Sequence, residues 1–320
     1  MSLPTRQPKQ SDRDHGGRID AAVDRYGGKR DDWIDLSTGI NPVPYPLTGF
    51  AARDWNTLPD EAAQLALSDA ARAFWAVPDG AEILAAPGAS ALIARIPALA
   101  PAARVRITKP TYNEHAAAFS ANGWQVAADG PAQARVLVNP NNPDGRIWQG
   151  SDAEADLAVI DESFCDVTPE ASLVHLAAQP GRIVLKSFGK FWGLAGLRLG
   201  FAIAAPGTIA RLSEMLGPWP VSGPALRVGA AALRDLAWAD ETRTRLHQDA
   251  CRLDDIMTSR GARIAGGTDL FRLYAVDDAA AWQDRLARHH IWSRIFPYSQ
   301  SFLRLGLPPA DGWQRLADAV

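Results

Sequence analysis

One lysine, Lys190, stands in the run LKSFGKFWGLAGLRLGF (Leu185–Phe201) among glycines and apolar residues, with Ser187 before it and Arg198 after it. A solvated lysine usually has polar neighbours. An amine in apolar surroundings favours its neutral form and becomes a nucleophile. Upstream, Asp161 and Glu162 close the apolar run of LAVIDESF. A carboxylate at the end of a buried strand needs a cation or hydrogen bonds, the plain alternative being a helix cap or a structural ion pair. In VNPNNPDG, two Asn-Pro steps and Asp-Gly mark a rigid turn. A turn accounts for the prolines but not for an amide, Asn142, directed at a crevice. In APGASALI, Gly88, Ala89 and Ser90 follow a strand end and open a helix. Small residues and free N–H groups there suit an anion such as phosphate. An ordinary N-cap is the plain alternative.

These residues must be placed by strands. AEILAAPG, ARVRITKP, WQVAA, ARVLVNP, ADLAVIDES, GRIVLKS and LGFAIAAP read as buried strands that exit at Gly, Pro, Asn or Asp. Ala-rich helical stretches such as ASALIARIPALA and NEHAAAFSAN lie between some of them. The pattern predicts an α/β domain over about residues 47–212, with a mostly parallel sheet covered on both faces. In such sheets ligands bind at the strand ends where these residues cluster. After MLGPWPVSGP comes a smaller α+β domain over 213–320. It has one long helical region (ALRVGAAALRDLAWADETRTRLHQDACRLDDIMTSR), FRLYAV, the helix DDAAAWQDRLARHH, the strands IWSRI and FLRLGL, and a last helix. Residues 15–46, with WIDLSTGINPVPYP, are expected to pack beside it, and residues 1–14 read as disordered.

The 320 residues are 47% hydrophobic and 22% charged, which is ample for a core, and the net charge of -3 offers no basic field for nucleic acid or an anionic membrane. No apolar run spans a bilayer, and the polar N-terminus lacks the apolar core of a signal peptide. Cys165 and Cys251 match no metal or redox spacing, so a reducing cytoplasm is the simplest setting. No G-x-G-x-x-G follows a strand, which argues against a nicotinamide dehydrogenase.

In order along the chain, the phosphate loop, N-P-x-N-P-x-G, D-E-x-aromatic, S-x-x-K and the arginine resemble the pyridoxal-phosphate enzymes of fold type I, the aspartate aminotransferase superfamily. The resemblance runs from His15 to the C-terminal helix. It implies a large domain with a mostly parallel central sheet, a smaller α+β domain, pyridoxal 5'-phosphate as cofactor, and a homodimer with its site near the interface. Lys190 would form the Schiff base and later shuttle a proton. Asp161 would pair with the pyridinium nitrogen, and Asn142 would bond the phenolic oxygen. Gly88, Ala89, Ser90, Ser187 and Arg198 would hold the phosphate. Tyr112, in KPTYNEH, would stack on the ring, with a packed core tyrosine as the plain alternative. A non-enzymatic pyridoxal-phosphate-binding regulator ranks below the enzyme readings, because such proteins usually join this fold to a DNA-binding domain and here the fold consumes the chain; a nicotinamide dehydrogenase ranks lower still.

DHGGRIDAAVDRYG and WIDLSTGINPVPYP further resemble the N-terminus of L-threonine-O-3-phosphate decarboxylases of cobalamin biosynthesis, relatives of histidinol-phosphate aminotransferases. The implied reaction converts L-threonine O-3-phosphate to (R)-1-amino-2-propanol O-2-phosphate and CO2. The runner-up is an aminotransferase acting on a phosphorylated amino substrate such as histidinol phosphate. The choice turns on which substrate bond stands perpendicular to the cofactor ring, a matter of positioning. A second phosphate needs its own cations, and His15 and Arg294 are the candidates, while Arg304, in SFLRLGL, matches the arginine that grips the α-carboxylate in this superfamily, or a nearby anion. A mobile terminal histidine and a surface strand arginine are the plain alternatives for the first two. Three positions depart from the family pattern. Phe164 replaces a phenol, and Gly189 stands where a serine or threonine commonly precedes the lysine. Leu58 fills the place of a tyrosine that reaches the neighbouring subunit, so no such contact is assigned.

Overall fold

The computed structural model describes residues 15–47 and 49–320, so the expectation of disorder over 1–14 lies outside the described residues. The described chain opens with helix α1 (Ile19–Tyr26), strand β1 (Ile34–Asp35), a helical turn α2 (Arg53–Asn56) and α3 (Glu61–Phe74). Asp60 caps α3 by accepting from the Ala63 N–H at 2.8 Å. Next come β2 (Glu82–Ala86), α4 (Ala89–Ile93), β3 (Arg104–Ile107), α5 (Asn113–Ala121), β4 (Gln125–Ala127), β5 (Ala134–Val138), β6 (Leu157–Asp161), β7 (Arg182–Ser187) and β8 (Gly200–Ala204).

The seven strands β2 to β8 form one sheet in the order β2-β8-β7-β6-β5-β3-β4. Six run in one direction, and β8 lies antiparallel between β2 and β7. Each of the seven apolar runs expected as a strand supplies one. Every residue of β5, β6 and β8 is buried, which is why their sequences do not alternate and are apolar apart from Arg135 in β5 and Asp161 at the end of β6. Alternate side chains enter two cores. Leu137, Ile160 and Val184 join one on one face, and Val136, Val159 and Leu185 join another on the opposite face. Each such side chain contributes about 1.5–3 kcal/mol on burial. The stretch expected as one helix over ASALIARIPALA stops early. α4 has five residues and a 3-10 turn, Ile96–Leu99, follows, because Pro97 has no N–H to continue the ladder.

The remainder comprises α6 (Pro206–Leu216), α7 (Gly223–Arg234), α8 (Leu236–Thr258), β9 (Arg263–Thr268), β10 (Phe271–Ala275), α9 (Ala279–Arg288), β11 (Ile291–Trp292), β12 (Arg294–Phe296), β13 (Ser299–Gly306) and α10 (Trp313–Ala319). The long helical region is two helices, broken at Asp235, whose carboxylate caps α8 through the Trp238 N–H. IWSRI also divides. Ile291 and Trp292 pair in parallel with β1, while Arg294 to Phe296 join an antiparallel sheet ordered β12-β13-β10-β9. Among the described residues no helix is long and apolar enough to cross a membrane.

The Asn-Pro turn docks on β9. The Gly267 N–H donates to the Asp144 carbonyl at 3.0 Å. Gly145 has φ +73°, and a Cβ on it would lie 1.9 Å from the Gly267 carbonyl oxygen. Replacing Gly145 with Ala is therefore expected to lower stability by more than about 1 kcal/mol, measured by denaturant unfolding. An unchanged unfolding midpoint would mean that the turn can move off β9 without cost.

Candidate active site

Lys190 lies just past the end of β7, half-buried in a cavity of about 220 Å3 that also touches Ser90, Tyr112, Asn142, Asp161 and Arg198. Its Nζ sits 5.2 Å from the centre of the Phe164 ring. Burial, then the positive charges of Arg304 and Arg294, lower its pKa from 10.5 to about 8, against the opposing pull of Asp161 and Asp35. A substantial neutral fraction thus exists near physiological pH, as nucleophilic attack by an amine requires.

Asp161 ends β6 with 2% of its surface exposed. Burial alone would push its carboxyl up. His115 on α5 reverses that, with Nε2 2.8 Å from Oδ2, and so do the Ser163 N–H and hydroxyl, which donate to Oδ1 at 3.0 and 2.6 Å. The net effect holds the carboxyl below the ordinary range, so it stays ionised. His115 and Ser163 were absent from the sequence reading. The spacing Tyr112–His115, three residues apart on a helix start, was the available signal.

Gly88, Ala89 and Ser90 meet the start of β8 and the Arg198 side chain. A Cβ on Gly88 would lie 2.5 Å from an Arg198 guanidinium nitrogen, and one on Gly200 would lie 2.3 Å from the Ala89 N. The absence of side chains leaves a concave backbone wall beside a cation. Ser187 accepts from the Gly189 N–H at 3.2 Å. Arg198 itself takes a left-handed conformation, φ 54°, and donates to the Ala195 carbonyl at 3.1 Å. Because α4 is so short, the guanidinium, hydroxyls and N–H groups dominate this wall rather than a helix dipole. Tyr112 forms another wall. Burial, then Asp161 and Glu114, raise its phenol to about 12, so it remains a neutral ring with a hydroxyl.

A second cavity, about 190 Å3, shares Lys190, Tyr112, Asn142 and Phe164 with the first and adds His15, Arg294 and Arg304. The three residues expected to meet substrate anions are therefore gathered beside the amine. Arg304 on β13 is 2% exposed and donates to Asn142 Oδ1 and to the Ser37 carbonyl. A guanidinium can only donate, so the Asn142 atom facing it is the oxygen, and the amide N–H2 remains as a donor. His15 Nε2 lies 2.8 Å from Glu114. The two glycines after His15 have a packing reason. Gly16 lies so close to the Ser37 carbonyl that a Cβ would be 2.3 Å from its oxygen, and the Gly17 N–H donates to Ser37 Oγ at 2.7 Å. Ser37 is in turn held by Asp35, which accepts its N–H at 2.9 Å. Ser37, Asp35 and Glu114 were not anticipated.

This donor set fits pyridoxal phosphate: a desolvated amine, an ionised buried carboxylate, an aromatic wall, and a cationic cradle lined by glycine. Residues 130–320 match the family described as Aminotransferase class I and II. A threonine-phosphate decarboxylase from Sinorhizobium sp is 40% identical over 96% of this chain and 97% of its own length, and one from Pseudomonas aeruginosa is 38% identical over 96% and 97%. The fold is that of a solved histidinol-phosphate aminotransferase from Sinorhizobium meliloti in complex with pyridoxal-5'-phosphate, with TM-score 0.81 and 20% identity, covering 94% of this chain and 93% of that one.

In cofactor-free protein, modification of Lys190 by an amine-reactive reagent should follow a midpoint near 8 rather than the ordinary 10.5. The pKa falls on folding, so between those values the unfolded chain binds more protons, and this group makes stability rise with pH. Lys190→Met should remove that slope. A labelling midpoint near 10.5 would show the amine to be solvated. With the site and the relatives together, the chain belongs to the threonine-phosphate decarboxylase family, within the class I and II aminotransferases.

Proposed function

We propose that this protein decarboxylates L-threonine O-3-phosphate to (R)-1-amino-2-propanol O-2-phosphate and CO2. It is a pyridoxal-phosphate-dependent enzyme of the aminotransferase type. One observation carries the substrate assignment: His15, Arg294 and Arg304 converge with Lys190 on a single cavity. Two anionic groups brought into a cleft need at least that many cationic donors.

Bound in the larger cavity, pyridoxal phosphate supplies an electron sink for the charge left on carbon when CO2 departs. Lys190 would hold the cofactor through Nζ and would return a proton to the substrate carbon that loses CO2. Asp161, fixed by His115 and Ser163, would sit against the ring nitrogen and keep it protonated. Asn142 would donate its amide N–H to the phenolic oxygen while Arg304 holds the amide oxygen. Arg198, Ser187, Ser90 and the backbone at Gly88 and Ala89 would grip the cofactor phosphate. Arg304 and Arg294, with His15, would seat the carboxylate and the substrate phosphate. The same two arginines depress the Lys190 pKa. Anions seated on them offset that charge and favour the ammonium form that donates the proton.

A homodimer in the cytoplasm belongs to the same proposal. Trp55, Leu58, Leu65 and Trp219 are exposed large apolar side chains near α2, α3 and the α6–α7 connection, a surface suited to a second copy. Leu58 is 66% exposed and would add apolar area rather than a phenol. The division into residues 47–212 and 213–320, with 15–46 docked on the latter, is likewise proposed. It is supported by the β1–β11 pairing and by a large sheet drawn from residues 82–204 alone.

Incubation with L-threonine O-3-phosphate should release CO2 and aminopropanol phosphate without a 2-oxo acid acceptor. Arg294→Ala should weaken the phosphorylated substrate by about 2 kcal/mol or more relative to threonine. Equal weakening of both would make Arg294 structural, and equal turnover of threonine by the unsubstituted protein would defeat the assignment. Sedimentation should show a dimer. A fully active, stable monomer would refute that part.

A further inference from the structure

The Lys190 loop is held from outside its own strand pair. Residues 36–45 run alongside it. The Asn41 N–H donates to the Lys190 carbonyl at 3.0 Å, the Asn41 side-chain Nδ2 donates to the Phe191 carbonyl at 2.8 Å, and the Tyr45 N–H donates to the Trp192 carbonyl at 2.9 Å. The approach is close enough that a Cβ on Gly193, φ +69°, would lie 2.6 Å from the Pro44 Cα. Asn41 is 2% exposed, and both ends of its amide are engaged. Its Oδ1 accepts from Arg245 of α8 at 2.8 Å and from the Val43 N–H at 3.0 Å. Arg245 is itself steadied by Asp249 at 3.3 Å.

The other end of this segment reaches the substrate cavity. The Leu36 carbonyl accepts from Gly306 N–H at 2.7 Å, and the Ser37 carbonyl accepts from Arg304. Gly39 passes between the Phe164 and Phe271 rings, where a Cβ would stand 2.9 Å from each. One short strap therefore touches the arginine beside the substrate cavity at one end and the backbone of the lysine at the other.

We infer that Asn41 is a positioning residue for Lys190: its amide, clamped by Arg245, sets where the lysine backbone sits and hence where Nζ reaches. This rests on the reading that Lys190 carries the cofactor. Asparagine suits the task because one amide both donates to the loop carbonyl and accepts from a guanidinium. Aspartate at this position would keep the shape and the acceptor but lose the donor. Displacement of a reacting group by about 1 Å can cost on the order of a hundredfold in rate.

The test uses the holoenzyme with Asn41→Ala, Asn41→Asp and Arg245→Gln. Its readouts are the pH midpoint of the bound cofactor's visible absorbance, kcat and KM for L-threonine O-3-phosphate, and thermal unfolding. The expected result is a shifted absorbance midpoint and a kcat lower by about tenfold or more in both Asn41 variants, with KM changed by no more than about twofold. Arg245→Gln, at a partly exposed position, should move both readouts the same way by a smaller factor. A drop in unfolding temperature with the absorbance midpoint and kcat unmoved would overturn the inference and leave Asn41 a packing residue. So would an Arg245→Gln variant identical to the unsubstituted protein. Borohydride reduction of the unsubstituted holoenzyme should fix the cofactor on Lys190. Attachment at another lysine would refute the underlying reading and the inference together, and it would be seen before any Asn41 variant is made.

Discussion

A carboxylate cut off from water must be given its hydrogen bonds by the protein, and Asp161 imposes that demand at the end of the middle strand of the large sheet. Meeting it fixes much else. Helix α5 has to begin where His115 can reach Oδ2, which places Tyr112 at the helix start and against the cavity. The chain has to turn at Ser163 so that its N–H and hydroxyl meet Oδ1. The turn sends the next carboxylate, Glu162, to a different partner. It meets Lys186 at 2.6 Å and accepts from Ser172 Oγ at 2.6 Å. Burial works against the Lys186 charge, but Glu162, Cys165 and Asp166 outweigh it and hold the ammonium above its ordinary range. Asp166 is tied in turn to the Trp75 and Trp192 indoles at 2.9 and 3.0 Å. Two adjacent acidic residues thus have opposite assignments. One is held ready beside the cavity, and the other is consumed in the interior under it.

Lys190 and Lys186 make the same contrast with amines four residues apart. Both are withdrawn from solvent, Lys186 fully and Lys190 in part. Lys186 has a carboxylate in contact and stays charged, whereas Lys190 faces two guanidinium groups and an aromatic ring and is drawn toward neutrality. Burial alone therefore does not decide which lysine is reactive. A carboxylate in contact overrides desolvation at Lys186, whereas at Lys190 desolvation prevails.

The strands were legible because β5, β6 and β8 are buried on both faces, so their residues are apolar apart from Arg135 in β5 and Asp161 at the end of β6. β9 was not legible. Gly266 and Gly267 weaken its pattern, and their purpose, close contact with the Asp144 turn, concerns residues more than a hundred positions away. The same limit governs the site. Lys190, Asp161 and Arg198 stand out because each is a charge next to an apolar strand end. His115 does not, because nothing near it in the sequence signals that a carboxylate on a different strand will need it. The Arg304–Asn142 bond spans 162 positions and ties a candidate substrate residue to a candidate cofactor residue. Composition and spacing cannot express that pairing, and it is what orients the Asn142 amide.

The antiparallel placement of β8 has its own consequence. Gly200 lies in register with both Ser187 of β7 and Ala86 of β2. The loop that carries Lys190 is consequently tied at both ends to the wall proposed to grip the cofactor phosphate. Lysine and wall travel together as one hairpin cassette. The residues proposed to read the substrate come from residues 15–38 and 294–304, outside that cassette. Substrate preference can drift through substitutions in those two segments while the hairpin is inherited unchanged, which is how one scaffold can diversify its reactions without reinventing its cofactor site.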